Sequence, residues 1–147
     1  TVLTSSAGHP LDKTYYQTVK CMVTPLDIVA EGGTIIVVSA CAEGIGSPEY
    51  RKAQERLVAD GPDAFLRSLL AKDFADIDEW QTEMQLKSTR ATRVQLYTTG
   101  LKGADRDITG VEMIDSVEDA LAQALARSKD GGLAVIPEGP YVVPVVA

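Results

Sequence analysis

The run Thr34-Ile35-Ile36-Val37-Val38-Ser39-Ala40 constrains this chain more than any other feature. It is apolar and β-branched, without the alternation that marks a strand with one wet face. Both of its faces must therefore be covered, which is the habit of a parallel strand inside an α/β sheet. Such a strand needs helices on two sides and neighbours on two edges, and the flanking residues supply them.

Before it, Leu11, Tyr15, Val19, Met22, Val23 and Leu26 recur at three- and four-residue spacing, one apolar stripe of a helix starting after the turn Ala7-Gly8-His9-Pro10. Thr24-Pro25 kinks or restarts that helix, and Gly32-Gly33 ends it. After the run, Ser47-Pro48-Glu49 has the chemistry of a helix start, and helices are predicted over 48–59, 62–72 and 76–89. Ser116 with Asp119 predicts the cap of a last helix, whose apolar face is Val117, Ala120, Leu121, Ala124 and Leu125. Strands are predicted over 2–6, Arg93–Tyr97, 111–114, 133–136 and 141–146. Strands alternating with helices predict a single α/β domain with a mixed or largely parallel sheet packed with helices.

The 147 residues are 45% apolar and 24% charged, enough to bury one core. A net charge of −7, with 14 scattered Lys and Arg residues, opposes binding to phosphate backbones, so no nucleic-acid partner is expected. No apolar run approaches the roughly 20 residues that span a membrane, and no signal peptide pattern is visible, so no membrane partner and a cytoplasmic address are expected. The chain is strand-like from Thr1 onward, which reads as a piece of a longer protein. Cys21 and Cys41 stand apart without a CxxC pair and are expected to be buried reduced thiols.

Candidate chemistry is sparse. His9, the only histidine, lies in a turn and reads as solvent-exposed. Gly44-Ile45-Gly46-Ser47 lacks the third glycine of a dinucleotide fingerprint and reads as a turn that lets a helix pack closely. Tyr16, Gln17 and Lys20 share one flank of the first helix, where a phenol, an amide and an ammonium could hold a small carboxylate, although lysine and glutamine beside a core stripe are more often a solvated face. Trp80, the only tryptophan, reads by itself as a core anchor.

The stretch from Ser5 to Lys20, with Pro10-Leu11-Asp12 followed by Tyr16-Gln17 and Lys20, resembles the signature that opens the second domain of the nickel-pincer-dependent lactate racemase family. Gly32-Gly33, Cys41-Ala42-Glu43-Gly44-Ile45-Gly46-Ser47 and Asp78-Glu79-Trp80-Gln81 resemble further family segments in the same order, and the likeness extends to Ile136-Pro137-Glu138-Gly139. His9 and Ser6-Ala7-Gly8 depart from the family pattern.

The resemblance implies a carboxy-terminal domain, residues 1–147, whose cofactor-binding first domain lies outside this chain. It implies racemisation or epimerisation of a 2-hydroxy acid by hydride transfer to and from a nickel pincer nucleotide, which a lysine and a histidine of that first domain hold. It places Tyr16, Gln17 and Lys20 against the substrate and Trp80 at the border of its pocket, all facing one concavity, with no catalytic, cofactor or metal-ligating residue in this chain. The implied partners are a small 2-hydroxy acid and the amino-terminal domain, and the fragment alone is expected to be inactive and without cofactor. The competing reading is a non-catalytic α/β module that binds a small ligand or a protein.

Overall fold

The computed structural model describes residues 1–145 as five strands and six helices. In chain order these are β1 (Val2–Ser5), α1 (Tyr15–Val23), β2 (Thr34–Val38), α2 (Pro48–Asp60), α3 (Pro62–Leu70), α4 (Glu79–Ala91), β3 (Arg93–Tyr97), α5 (Ala104–Asp107), β4 (Glu112–Ile114), α6 (Val117–Arg127) and β5 (Ala134–Ile136). Every paired strand runs parallel, in the order β4-β3-β2-β1-β5. The apolar run is β2, the middle strand, as its two-sided apolarity requires.

Its side chains divide between two cores. Ile35 and Val37 join Val94 and Leu96 beneath α1, where Tyr15, Val19 and Met22 are fully buried. Ile36 faces the other way and packs with Leu3, Ala120 and Ala124 under α6. The chain steps from β1 through β4 in one direction and then returns across the sheet to β5. Since parallel crossovers are right-handed, that reversal sends α6 to the opposite face from α1 and α4. The chain thus changes direction between β1 and β5, and ligands of open α/β sheets bind beyond the carboxyl ends of strands at such a point.

The helix α4 departs from the apolar rule. Its buried side chains are Glu79, Gln81, Thr82, Gln85, Leu86 and Ser88, nearly all polar. Leu86 packs on Ala53 and Leu57 of α2, and hydrogen bonds supply much of the remaining contact with α1 and α2. The Tyr15 hydroxyl lies 2.7 Å from the Thr109 carbonyl oxygen and 3.0 Å from Gln85 Oε1. Gln85 Nε2 donates to the same carbonyl at 2.7 Å, Gln54 Nε2 reaches Gln85 Oε1 at 3.0 Å, and Ser88 Oγ donates to the Met22 carbonyl at 2.8 Å. Buried groups so paired cost little and fix a single packing of the helices.

Several expectations are corrected. The helix predicted from Leu11 begins at Tyr15, because residues 11–14 form turns and the Thr14 side chain accepts the Gln17 amide as its cap. The strand predicted over 141–146 does not form in its described part: Gly139–Tyr141 is a 3-10 turn and residues 142–145 are irregular, while Val146 lies outside the described residues. The irregular segment lies across α1 instead of extending the sheet edge. The short helix α5 carries too few residues to show any periodicity. Among the described residues no helix is long and apolar enough to cross a membrane.

Ile36→Ala removes most of a side chain with no exposure in the central strand and should lower the unfolding free energy by about 3 to 4 kcal/mol. Val135→Ala on the edge strand, 58% exposed, should change it by less than about 0.5 kcal/mol. Urea denaturation of the two variants checks both values.

Candidate functional site

The first turn of α1 is fastened to the loop after β2. The Tyr15 and Tyr16 amides donate to the carbonyls of Gly44 and Ile45 at 2.9 and 3.0 Å. Gly46 permits the approach: its φ is +129°, and a Cβ there would stand 3.0 Å from the Tyr16 Cβ. Ser47 then caps α2, its Oγ accepting the Tyr50 amide at 3.0 Å. The Gly44-Ile45-Gly46-Ser47 segment is therefore a packing turn, as read from sequence.

Three aromatic rings step outward from the core along this seam. The buried Tyr50 meets Tyr16 edge to face at 5.1 Å between centroids, and Tyr16 meets Trp80 in the same manner at 6.0 Å. Trp80 is 50% exposed, so it is not the core anchor that an isolated tryptophan suggests; its neighbours Glu79 and Gln81 are the buried ones. Gln81 Nε2 donates to the Tyr16 carbonyl at 2.8 Å, which locks the first turn of α4 onto α1 and sets the Trp80 ring at the surface.

Beside this row lies a hollow of about 300 Å³. Val19, Lys20, Val23, Thr24 and Asp27 form one wall, Trp80, Gln81 and Met84 the second, and Val142, Val143 and Pro144 the third. Gly139 brings the third wall into place: its carbonyl accepts from Thr24 Oγ1 at 2.8 Å, and a Cβ at 139 would collide with Thr4 Oγ1 at 2.6 Å. Lys20 is exposed at the rim and makes no ion pair or hydrogen bond to another side chain among the described residues.

The four residues picked out in the sequence are thus neighbours but do not all open onto one concavity. Lys20 and Trp80 share this hollow. Tyr16 separates it from a shallower one edged by Thr14, Glu43, Gly46, Ser47 and Asp78. Gln17 is half-buried, with an Oε1 that finds no hydrogen-bond partner among the described residues. Gln81, Met84, the 142–144 segment and Asp78 were not singled out from sequence. Asp78 and Gln81 flank Trp80 in the segment that carries the family likeness, which is their one sequence signal; Met84 and the 142–144 segment depend on long-range packing.

Burial, followed by the nearby Asp78 carboxylate, raises the Tyr16 phenol above its ordinary pKa. Burial alone is the main cause for Tyr15 and Tyr50, whose phenols lie higher still. Cys21 is pushed up to about 11, first by burial, and both cysteines are buried and free, as expected. A thiol held protonated in this way is no nucleophile. His9 is exposed in its turn. Among the described residues no group of three or more His, Cys, Asp or Glu side chains is placed to hold a metal ion. Among the described residues the donor set, one exposed imidazole and two buried thiols set apart from it, does not fit the metal of a pincer cofactor.

The hollow is walled mainly by apolar side chains and carries the Lys20 ammonium, the Asp27 carboxylate and the Gln81 amide, a lining of the size and mixed character of a small-molecule pocket. The parallel sheet covered by helices on both faces defines a single α/β domain. Residues 1–145 match the family described as lactate racemase C-terminal domain, and the chain belongs to that family. It is 33% identical over 148 residues to the lactate racemase of Thermoanaerobacterium thermosaccharolyticum, covering 97% of this chain and 34% of that protein. The lactate racemase of Lactiplantibacillus plantarum is 27% identical over 146 residues, covering 96% and 34%. The chain therefore spans about a third of the length of these relatives. The solved structure of the lactate racemase apoprotein from T. thermosaccharolyticum shares the fold, with a TM-score of 0.81 at 24% identity over 97% of this chain and 34% of that one.

Glu79 anchors the segment leading into Trp80. Its carboxylate is 1% exposed and receives Arg56 at 2.6 Å, Lys72 at 2.8 Å and the Asp76 amide at 3.1 Å. Burial alone would raise its pKa, but Lys72, that amide and Arg56 outweigh burial and hold it below 4.5. A lowered folded-state pKa contributes stability that is present above the unfolded value and is lost as pH falls through the folded one. Glu79→Gln should therefore melt lower than the native chain at neutral pH, and the gap should close as pH falls below about 4. Thermal melts from pH 7 to pH 3 measure it.

Proposed function

We propose that this domain forms the substrate side of a lactate racemase-like enzyme, a racemase or epimerase of small 2-hydroxy acids. The observation that carries the reading is the meeting of Lys20 and Trp80, 60 positions apart, on one mainly apolar hollow, where Lys20 is the one cation of the lining and is unpaired among the described residues. The match to the lactate racemase C-terminal domain over residues 1–145 supports it.

In this reading the Lys20 ammonium holds the substrate carboxylate as a point charge, in a site where apolar walls weaken the competition from water. Trp80, Val19 and Met84 receive the short alkyl part of the substrate, while Gln17, whose Oε1 is buried and off this hollow, stands behind Lys20 on the same flank of α1. Tyr16 buttresses Trp80. Because the donors of this chain do not fit a metal, the nickel pincer nucleotide that would take up and return the C2 hydride is assigned to a companion amino-terminal domain of the complete protein. The roughly threefold greater length of the relatives leaves room for such a domain. The isolated 147-residue domain should then neither racemise lactate nor bind stoichiometric nickel.

In the complete protein, Lys20→Ala should lower kcat/KM for lactate racemisation by about ten- to more than a hundredfold, the worth of one charge-assisted hydrogen bond in a partly dry site. Lys20→Arg should restore only part, since a planar fork does not occupy the place of a compact ammonium. Lys129→Ala, an exposed lysine after α6, should leave the rate unchanged. Equal and negligible effects at both positions would overturn the assignment.

A further inference from the structure

Asp78 has a backbone and a set of contacts that helix capping does not explain. It stands at the start of α4 with φ 62° and ψ −1°, a left-handed conformation in which most side chains crowd the backbone and which glycine adopts freely. Aspartate is among the few other residues that tolerate it, at some cost. Most N-cap aspartates repay their position by accepting amides of the helix they start, but this one makes no such bond to α4 and no ion pair among the described residues.

Its carboxylate turns to other elements instead. Oδ2 accepts the Ser47 hydroxyl at 2.5 Å, and the same Ser47 oxygen accepts the Tyr50 amide that caps α2. The carboxylate also shares the rim of the shallower hollow with the Tyr16 phenol. One acidic group thus links the cap of α2 to the start of α4, two positions before Trp80, and lies beside Tyr16 of α1 at the rim of the same hollow. The Gln81 bond to the Tyr16 carbonyl closes the same junction one helical turn further along.

We infer that Asp78 is a positioning residue of the substrate site: it holds the Tyr16 phenol and, through the start of α4, the edge-to-face Tyr16–Trp80 pair whose Trp80 ring walls the hollow that Lys20 borders. The inference rests on the substrate-side reading of Tyr16 and Trp80 given above. A carboxylate serves here where glycine would give an easier backbone, because glycine would leave Ser47 and Tyr16 without a common anchor.

The test is a double-mutant cycle on the complete, cofactor-loaded protein. Asp78→Asn keeps a residue tolerant of the left-handed backbone and a carbonyl for Ser47, while Tyr16→Phe keeps the ring against Trp80 and removes only the hydroxyl. Each should lower kcat/KM for lactate by about tenfold, and the double variant should fall no more than about twofold below either one, since both act through one contact. Asp78→Gly, which relieves the backbone, should melt no lower than Asp78→Asn and show the same coupled loss. Fully additive losses, or an Asp78→Asn rate within about twofold of native while Tyr16→Phe falls, would overturn the positioning role and leave the site itself standing. If Tyr16→Phe and Lys20→Ala are both silent, the site reading fails, and the role of Asp78 fails with it.

Discussion

The contact on which the rest of this molecule depends is the buried polar seam around the Tyr15 hydroxyl. Tyr15 lies at the first turn of α1, its ring in the core and its oxygen between the Thr109 carbonyl and the Gln85 amide of α4. A buried hydroxyl or amide without partners costs several kilocalories per mole, so this set of groups is stable in one arrangement only. That arrangement places the outward faces of α1 and α4 side by side. Lys20 and Gln17 stand on one of those faces and Trp80 on the other.

The seam also accounts for the character of the site. Since α4 spends its inward face on hydrogen bonds, its one large aromatic side chain is free to stand at the surface, where it meets Tyr16 edge to face. Glu79, the residue before it, is drawn inward by Arg56 and Lys72. The hollow between these elements is walled mainly by apolar side chains, with the Lys20 ammonium and the Asp27 carboxylate as its charged groups.

Much of the architecture could be read directly. The unbroken apolarity of β2 required the central position it holds, and the stripe Tyr15, Val19 and Met22 named the buried face of α1. Pro48 after Ser47 and Asp119 after Ser116 marked helix starts that form as expected. Where the reading failed, tertiary context overrode a local signal. Residues 141–145 have the β-branched composition of a strand, yet the close approach of Gly139 to Thr4 turns the chain away from the sheet edge and over α1. Trp80 carries the apolar bulk of a core residue, but the core beneath it is occupied by the polar side chains of α4.

The sequence by itself determined a doubly covered parallel strand, the helices that cover it and the flank of α1 on which Tyr16, Gln17 and Lys20 stand, because periodicity and capping are local properties of the chain. Its family likeness also singled out Trp80. Only the tertiary structure decided that Lys20 and Trp80 border one hollow while Tyr16 opens onto the next, that residues 142–144 supply a wall, and that Asp78 turns its carboxylate away from its own helix. Those outcomes are set by which buried polar groups find partners across distant segments, and hydrogen-bond satisfaction of that kind leaves no periodic trace in a sequence.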